Sequence, residues 1–304
     1  MDPHDYNPAN AKHAALYGTD VQGRLMSGYM GHYTCFPQFG NSPEEFEAAG
    51  YGQHGEAITV PWERLPGAGS ESGGAELSMR ARLPHNQYTF ERQIRLRPGE
   101  TVAHVTETAQ NLMGIDRPHQ WNQHVTFGPP FAEVGRMWAD ASIETATVPE
   151  GGDWRAFTGT SSPWQMQRSK PRNWVTAYNE NFRVLFGQIF DAEQNPWLLD
   201  WQTDRQMDTI PTPLRGAVAR GFCWGDSISS SIKSAVAQGE TDGVPTFSWI
   251  GPHAKRTQDY AIFLAEIPEG WRGTAGVEAG SGRVVITERG GAAARTITLQ
   301  AGGF

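Results

Sequence analysis

The feature that most constrains this chain is a set of short runs in which apolar and polar residues alternate with period two, each ended by turn-forming residues. Leu77, Met79, Ala81 and Leu83 share one phase while Ser78, Arg80 and Arg82 take the other. Phe90, Ile94 and Leu96 oppose Glu91, Gln93, Arg95 and Arg97, and Pro84-His85-Asn86-Gln87 between the two runs predicts a hairpin. Phe182, Val184, Phe186 and Phe190 alternate again, as do Tyr260, Ile262 and Leu264. Near the end, Arg283 to Thr287 and Arg295 to Leu299 form two runs across a Gly-Gly turn. Successive side chains of a strand point to opposite faces, so such runs form half-buried strands and not helices. The 35 glycines and 20 prolines supply the turns.

Helical signals are brief. Ser42-Pro43-Glu44-Glu45 is a capping box with proline at the first helical position, and Gly50 stops that helix. Further short helices are expected at Ser230 to Ala237 and at Ala11 to Tyr17. The expected fold is all-β, a large antiparallel β-sandwich with a few short helices. No composition break, linker or fixed-period repeat divides the 304 residues, so residues 1–304 are read as a single domain, with 1–25 as an N-terminal extension.

Charge and hydropathy exclude several partners. The formal charge is −8, and only four lysines occur, so no basic run offers itself to a nucleic-acid backbone. No apolar run is long enough to span a membrane as a helix. The first twenty residues lack a signal peptide's basic start and apolar core, so the compartment is expected to be cytoplasmic, or else a secreted or periplasmic one reached with a leader since replaced by Met1. Cys35 and Cys223 allow one disulfide at most and are read as two reduced, half-buried thiols. The oligomeric state is not legible.

Chemistry concentrates in four islands: Gly31 to Gly40, Tyr51 to Glu63, His119 to Phe131, and Pro196 to Gln202 followed by Gly221 to Asp226. They combine histidines, tryptophans, amides and carboxylates. Opening a sugar ring needs an acid for the ring oxygen, a base for the anomeric hydroxyl, and fixed partners for the remaining hydroxyls. Histidine titrates near neutrality and suits proton transfer, whereas tryptophan faces stack on sugar C–H groups. His32, His54, Glu56, His119 and His124 are potential metal ligands, but their spacing matches no zinc signature, and no metal is expected. There is no G-x-S-x-G elbow, and Gly67 to Gly74 lacks a Walker lysine, so it reads as a flexible hairpin.

His54-Gly55-Glu56 with Pro61-Trp62, then Asn111-Leu112 with Trp121 through Phe131, then Pro196-Trp197-Leu198 with Trp201-Gln202 resemble, in order and approximate spacing, segments of the aldose 1-epimerase (galactose mutarotase-like) superfamily. The resemblance runs from about Pro37 to about Glu266. It implies a large β-sandwich, a small-molecule carbohydrate as partner and no cofactor. It also implies that His124 is the general acid and His54 the second histidine, with His32, Trp62, Trp121, Asp200, Trp201, Gln202 and Trp224 lining a substrate cleft. The family's catalytic glutamate falls where this chain has Cys223, which leaves Asp226 or Glu266 as alternative bases. The expected function is acid/base proton transfer on a free or modified monosaccharide. Alternatives are an isomerase, lyase or hydrolase acting on a modified sugar, with or without a metal, and a non-catalytic carbohydrate-binding protein.

Overall fold

The computed structural model describes residues 9–17, 19, 31–40, 52–66, 74–146, 153–167, 169–204, 218–229 and 231–303. The predicted helix beginning at Ser42, the glycine-rich Gly67 to Gly73 and most of the N-terminal extension lie outside them. Strands in chain order are β1 (Gly31–Cys35), β2 (Trp62–Arg64), β3 (Ala75–Leu83), β4 (Tyr88–Leu96), β5 (Val102–Asn111), β6 (Arg117–His119) and β7 (Asn122–Phe127). They continue with β8 (Met137–Ala141), β9 (Ile143–Ala146), β10 (Ser162–Met166), β11 (Arg172–Asn179), β12 (Val184–Asp191), β13 (Trp197–Asp204) and β14 (Val218–Gly225). The last are β15 (Glu240–Thr241), β16 (Val244–Pro245), β17 (Ser248–Ile250), β18 (Lys255–Glu266), β19 (Thr274–Gly280), β20 (Arg283–Glu288) and β21 (Thr296–Gln300). The helices are α1 (Ala11–Tyr17) and α2 (Ile232–Gln238), the latter capped by the Ser231 hydroxyl, which accepts from Ser234 N.

Two large antiparallel sheets face each other. The first has strand order β1-β7-β14-β13-β10-β9 and the second β2-β3-β4-β5-β18-β12-β11-β8. The predicted hairpin is β3–β4, and Leu83 opposes Tyr88 across its turn. Trp164, Phe222 and Trp224 of the first sheet meet Val105, Val175, Phe190 and Tyr260 of the second in the main core. Trp224 lies flat on Phe190, with ring centroids 4.0 Å apart.

A third layer, β19-β20-β21, covers part of the second sheet's outer face. Val284, Ile286 and Ala301 pack there on Leu185, Ile189, Ala261 and Phe263. Gly187 permits this packing, because a Cβ at that position would meet the Phe263 ring at 2.1 Å. The paired C-terminal runs are thus β20 and β21, with β19 an additional strand that the alternation pattern did not reveal. Two expectations need correction. Phe182 precedes β12 in a turn and is exposed. Glu266 does not point inward: it ends β18 in solvent and pairs with Arg183 at 2.8 Å.

Candidate active site

The first sheet's two faces differ in chemistry, and β register decides which residues meet. Tyr33, His124, Cys223 and Leu199 form one row across β1, β7, β14 and β13. The neighbouring row on the same face is Gly31, Thr126, Gly221 and Trp201. This face looks away from the main core. Tyr33, Cys35, Phe39, Ile58 and Cys223 cluster on it, with Leu199 and Trp201 packed alongside.

Three residues far apart in sequence meet here. The His54 and His124 rings are edge to face at 5.2 Å, and His124 is 6.1 Å from Trp201. Tyr33 stacks on His124 at 4.5 Å. Gly221 sits beneath them, where a Cβ would lie 3.1 Å from His124 Cε1 and 3.3 Å from Trp201 Cε3. A larger residue at 221 would push the two rings.

His54 holds a left-handed backbone conformation (φ 66°), which costs a non-glycine residue about 1–2 kcal/mol. The surrounding loop enforces it. Gly55 (φ 83°) passes so close to β1 that a Cβ would come within 2.6 Å of Phe36 O. Glu56 Oε1 accepts from His85 N and Glu56 Oε2 from Asn86 N, both at 3.0 Å, tying the loop to the β3–β4 turn. His54 Nδ1 accepts from the Gly40 N–H at 3.4 Å and lies 3.3 Å from Cys35 Sγ. A backbone N–H can only donate, so Nδ1 carries the lone pair and the neutral ring keeps its proton on Nε2. His124 Nδ1 is 3.0 Å from Thr126 Oγ1.

Burial sets the charge state. His54, 5% exposed, is brought down to about 4 by desolvation. His124, 1% exposed, falls well below the usual imidazole value through burial first, then the neighbouring His54 and His32. Both imidazoles are therefore neutral at pH 7. Burial also raises both thiols well above their ordinary value, with Cys223 adding to the effect on Cys35 and Asp200 to that on Cys223. The cysteines are free and buried, not half-buried as expected.

The structure does not bring the other sequence-predicted residues to this face. An island that lies on a strand is divided by the pleat, and alternate members point inward. Trp121 is in the core against Phe36 and Phe90. Trp224 belongs to the core, with Nε1 donating to Gln188 at 2.9 Å. Asp200 is locked to Arg220 by bonds of 2.9 and 2.8 Å and accepts from Gln202 Nε2 at 2.6 Å. Gln202 Oε1 also accepts from the Thr158 and Gly159 amides. Trp62 packs on Phe90, with Arg92 5.5 Å from its ring centroid. His32 lies on the inward-facing row with Val125, Phe222 and Asp200 and bonds Gln123 Oε1 at 2.9 Å.

Asp226 is not placed as a base for His124. Its Oδ1 accepts from Trp121 N at 2.7 Å, and its Oδ2 is 3.6 Å from Arg256 and 3.8 Å from His119. Burial raises Asp226 to about 6, opposed by Arg256. The five potential metal ligands are dispersed as well: Glu56 serves the hairpin, His119 meets Arg256, and His32 takes the opposite face. Among the described residues no group of three His, Cys, Asp or Glu side chains could hold a metal ion.

Sequence reasoning missed the residue that fixes β1 and β7 from behind. Glu107 is fully buried between the sheets. Its Oε1 accepts from Arg92 at 2.6 Å, Thr34 at 3.0 Å and Tyr260 at 3.1 Å, and its Oε2 from Gln123 at 2.5 Å and Trp121 at 3.0 Å. Desolvation raises its pKa, but Arg92 and the hydrogen bonds outweigh it, so the carboxylate stays ionised. The signal was present: Arg92 and Glu107 fall in the apolar phases of β4 and β5.

No protein-family model matches the sequence, and no curated protein matches it significantly. Solved structures do. A candidate aldose 1-epimerase from Klebsiella pneumoniae superposes with TM-score 0.59 at 16% identity, covering 87% of this chain and 68% of that one. A candidate mutarotase from Salmonella typhimurium gives TM-score 0.51 at 10% identity, over 77% of this chain and 73% of that one. A galactose mutarotase-like protein from Clostridium acetobutylicum gives 0.48 at 12% identity, over 71% and 69%. At these identities the likeness concerns architecture: the chain has the β-sandwich fold of the aldose 1-epimerase and galactose mutarotase-like proteins.

Proposed function

We propose that the protein is a carbohydrate-active enzyme that moves protons on a free or modified monosaccharide, as in aldose 1-epimerisation. The observation that carries this reading is the meeting of two neutral imidazoles, His54 and His124, beside the Trp201 ring on one sheet face. A tryptophan face suits the apolar side of a pyranose, and paired imidazoles suit proton transfer at its polar edge.

The row beside His124 holds Tyr33, Cys223 and Leu199, and no carboxylate. The base role therefore falls to an imidazole. His124 takes the anomeric hydroxyl proton, becomes imidazolium, and returns the proton to the ring oxygen as the C1–O bond breaks. His54 supports the ring oxygen from Nε2–H while negative charge develops there, without itself ionising. A neutral histidine can act as an electrophile in this way. Rotation about C1–C2 and reclosure by the reverse steps give the other anomer. No cofactor or metal takes part, and Asp226 has no role in this scheme.

Saturation-transfer NMR of anomer exchange on a panel of hexoses tests the proposal. His124→Ala should slow enzyme-dependent exchange by roughly 10²–10⁴-fold, the usual scale of general acid–base catalysis. Exchange no faster than in buffer on every sugar, for parent and variant alike, would refute it. Cys223 beside His124 favours a second reading, binding without turnover, for which calorimetry would register hexose binding while exchange stays at the buffer rate.

A further inference from the structure

His54 and His124 share one sheet face, but different partners hold their Nδ1 atoms. His54 Nδ1 takes the Gly40 N–H, which leaves its proton on Nε2. His124 Nδ1 instead faces a hydroxyl, Thr126 Oγ1, at 3.0 Å. His124 and Thr126 are alternate residues of β7, so the pleat sets both on the same face. Thr126 is buried, and the register places Gly31 on one side of it and Gly221 on the other. Neither glycine offers a side chain, and among the described residues the Thr126 hydroxyl bonds His124 alone.

The ring is held at its other edges as well. Tyr33 stacks on it, 14° from parallel. Cε1 lies over Gly221, where a Cβ would come within 3.1 Å. In a neutral imidazole, the bond made by one nitrogen decides which nitrogen carries the proton. A hydroxyl can donate to Nδ1 or accept from it, with opposite consequences. A donating hydroxyl would put the His124 proton on Nε2, and both imidazoles would then present an N–H. An accepting hydroxyl puts it on Nδ1, and the pair then presents one donor, His54 Nε2–H, and one acceptor, His124 Nε2. Only the second arrangement can take up a hydroxyl proton. It also keeps its Thr126 bond unchanged when the ring becomes imidazolium, because Nδ1 donates in both states.

We propose that Thr126 is a positioning residue: its hydroxyl accepts from His124 Nδ1 and so reserves Nε2 as the proton acceptor. The choice of direction rests on the proton-transfer reading above, and it is measurable without a sugar.

Histidine-selective ¹⁵N NMR of the sugar-free protein at neutral pH tests it, with the His124 signals assigned by their loss in His124→Gln. The parent should show an N–H at Nδ1 and a bare nitrogen at Nε2. Thr126→Val keeps the outline of the side chain without its hydroxyl and should move the proton wholly or partly to Nε2; Thr126→Ala gives the same test should the valine variant not fold. Thr126→Ser should keep the parent pattern. In hexose exchange, Thr126→Val should lower kcat roughly three- to tenfold, the worth of one hydrogen bond, with KM within about twofold. An Nε2–H at His124 in the parent, or an Nδ1–H that survives loss of the hydroxyl, would overturn the proposal. The expected tautomers in a protein that exchanges no hexose would support the Thr126 assignment and sink the sugar reading instead.

Discussion

Replacing Glu107 by glutamine tests how the two sheets are held in register behind His124. The carboxylate is fully buried and paired with Arg92, whose side chain is only 10% exposed. Glutamine keeps the volume and one carbonyl acceptor but removes the charge, stranding the guanidinium between the sheets. Removing one partner of a buried ion pair costs about 3–5 kcal/mol. Loss of an acceptor for Trp121, Gln123 or Tyr260 adds to this, while the retained amide oxygen offsets part of it. Against a total stability of about 5–15 kcal/mol, the loss is large. Urea unfolding followed by tryptophan fluorescence should show a lower midpoint with an unchanged slope. Arg92→Gln in the Glu107→Gln background should cost at least about 1 kcal/mol less than in the parent, because the two residues interact directly. A Glu107→Gln protein within about 1 kcal/mol of the parent would refute the claim that this carboxylate is ionised and structural.

Two further outcomes follow from burial. His54 lies at about 4 in the folded protein against 6.5 unfolded, so its contribution to stability is complete above pH 6.5 and is lost as the pH falls toward 4. His54→Gln should therefore gain on the parent, by up to about 3 kcal/mol, between pH 7.5 and pH 4, and a pH-independent difference in unfolding free energy would contradict the assignment. Both thiols are buried and held protonated, so a disulfide reagent at pH 8 should find almost no reactive cysteine in the native protein and two after unfolding in urea. Rapid native labelling of either one would show it to be accessible.

The strands were legible because period-two alternation marks extended chain, and in β3, β4, β20 and β21 it also reports the more buried face. In β12 and β18 it does not, because the third layer buries Leu185, Ile189, Ala261 and Phe263 on the opposite face, while Leu264 is exposed. The site was legible only in part, and for the same reason. Islands such as Trp121 to Phe127 or Leu199 to Gln202 look like continuous chemistry in sequence, yet the pleat sends His124 and Trp201 to one face and Trp121, Gln123, Asp200 and Gln202 to the other. Which phase carries the paired imidazoles depends on the row formed by Tyr33, His124, Cys223 and Leu199, and that row is set by long-range pairing that sequence spacing does not encode. Asp226 was read as a base from proximity to Cys223 in sequence, but it lies just past the end of β14, where it accepts from Trp121 N instead. Arg92 and Glu107 broke an apolar phase, a visible sign of a buried ion pair whose partners still could not be matched from one chain. His54 was found through the resemblance carried by His54-Gly55-Glu56 and Pro61-Trp62, whereas the left-handed backbone and Nε2–H tautomer emerged only from the loop's contacts.

Histidine-selective ¹⁵N NMR at pH 6.5, with and without a hexose, addresses the paired imidazoles most directly. His54 and His124 should both titrate as neutral rings, His54 with its proton on Nε2, and both should shift when the sugar is added while His119, in the core near Arg256, does not. A charged ring at either position, or a bound hexose that leaves both signals in place, would contradict the account.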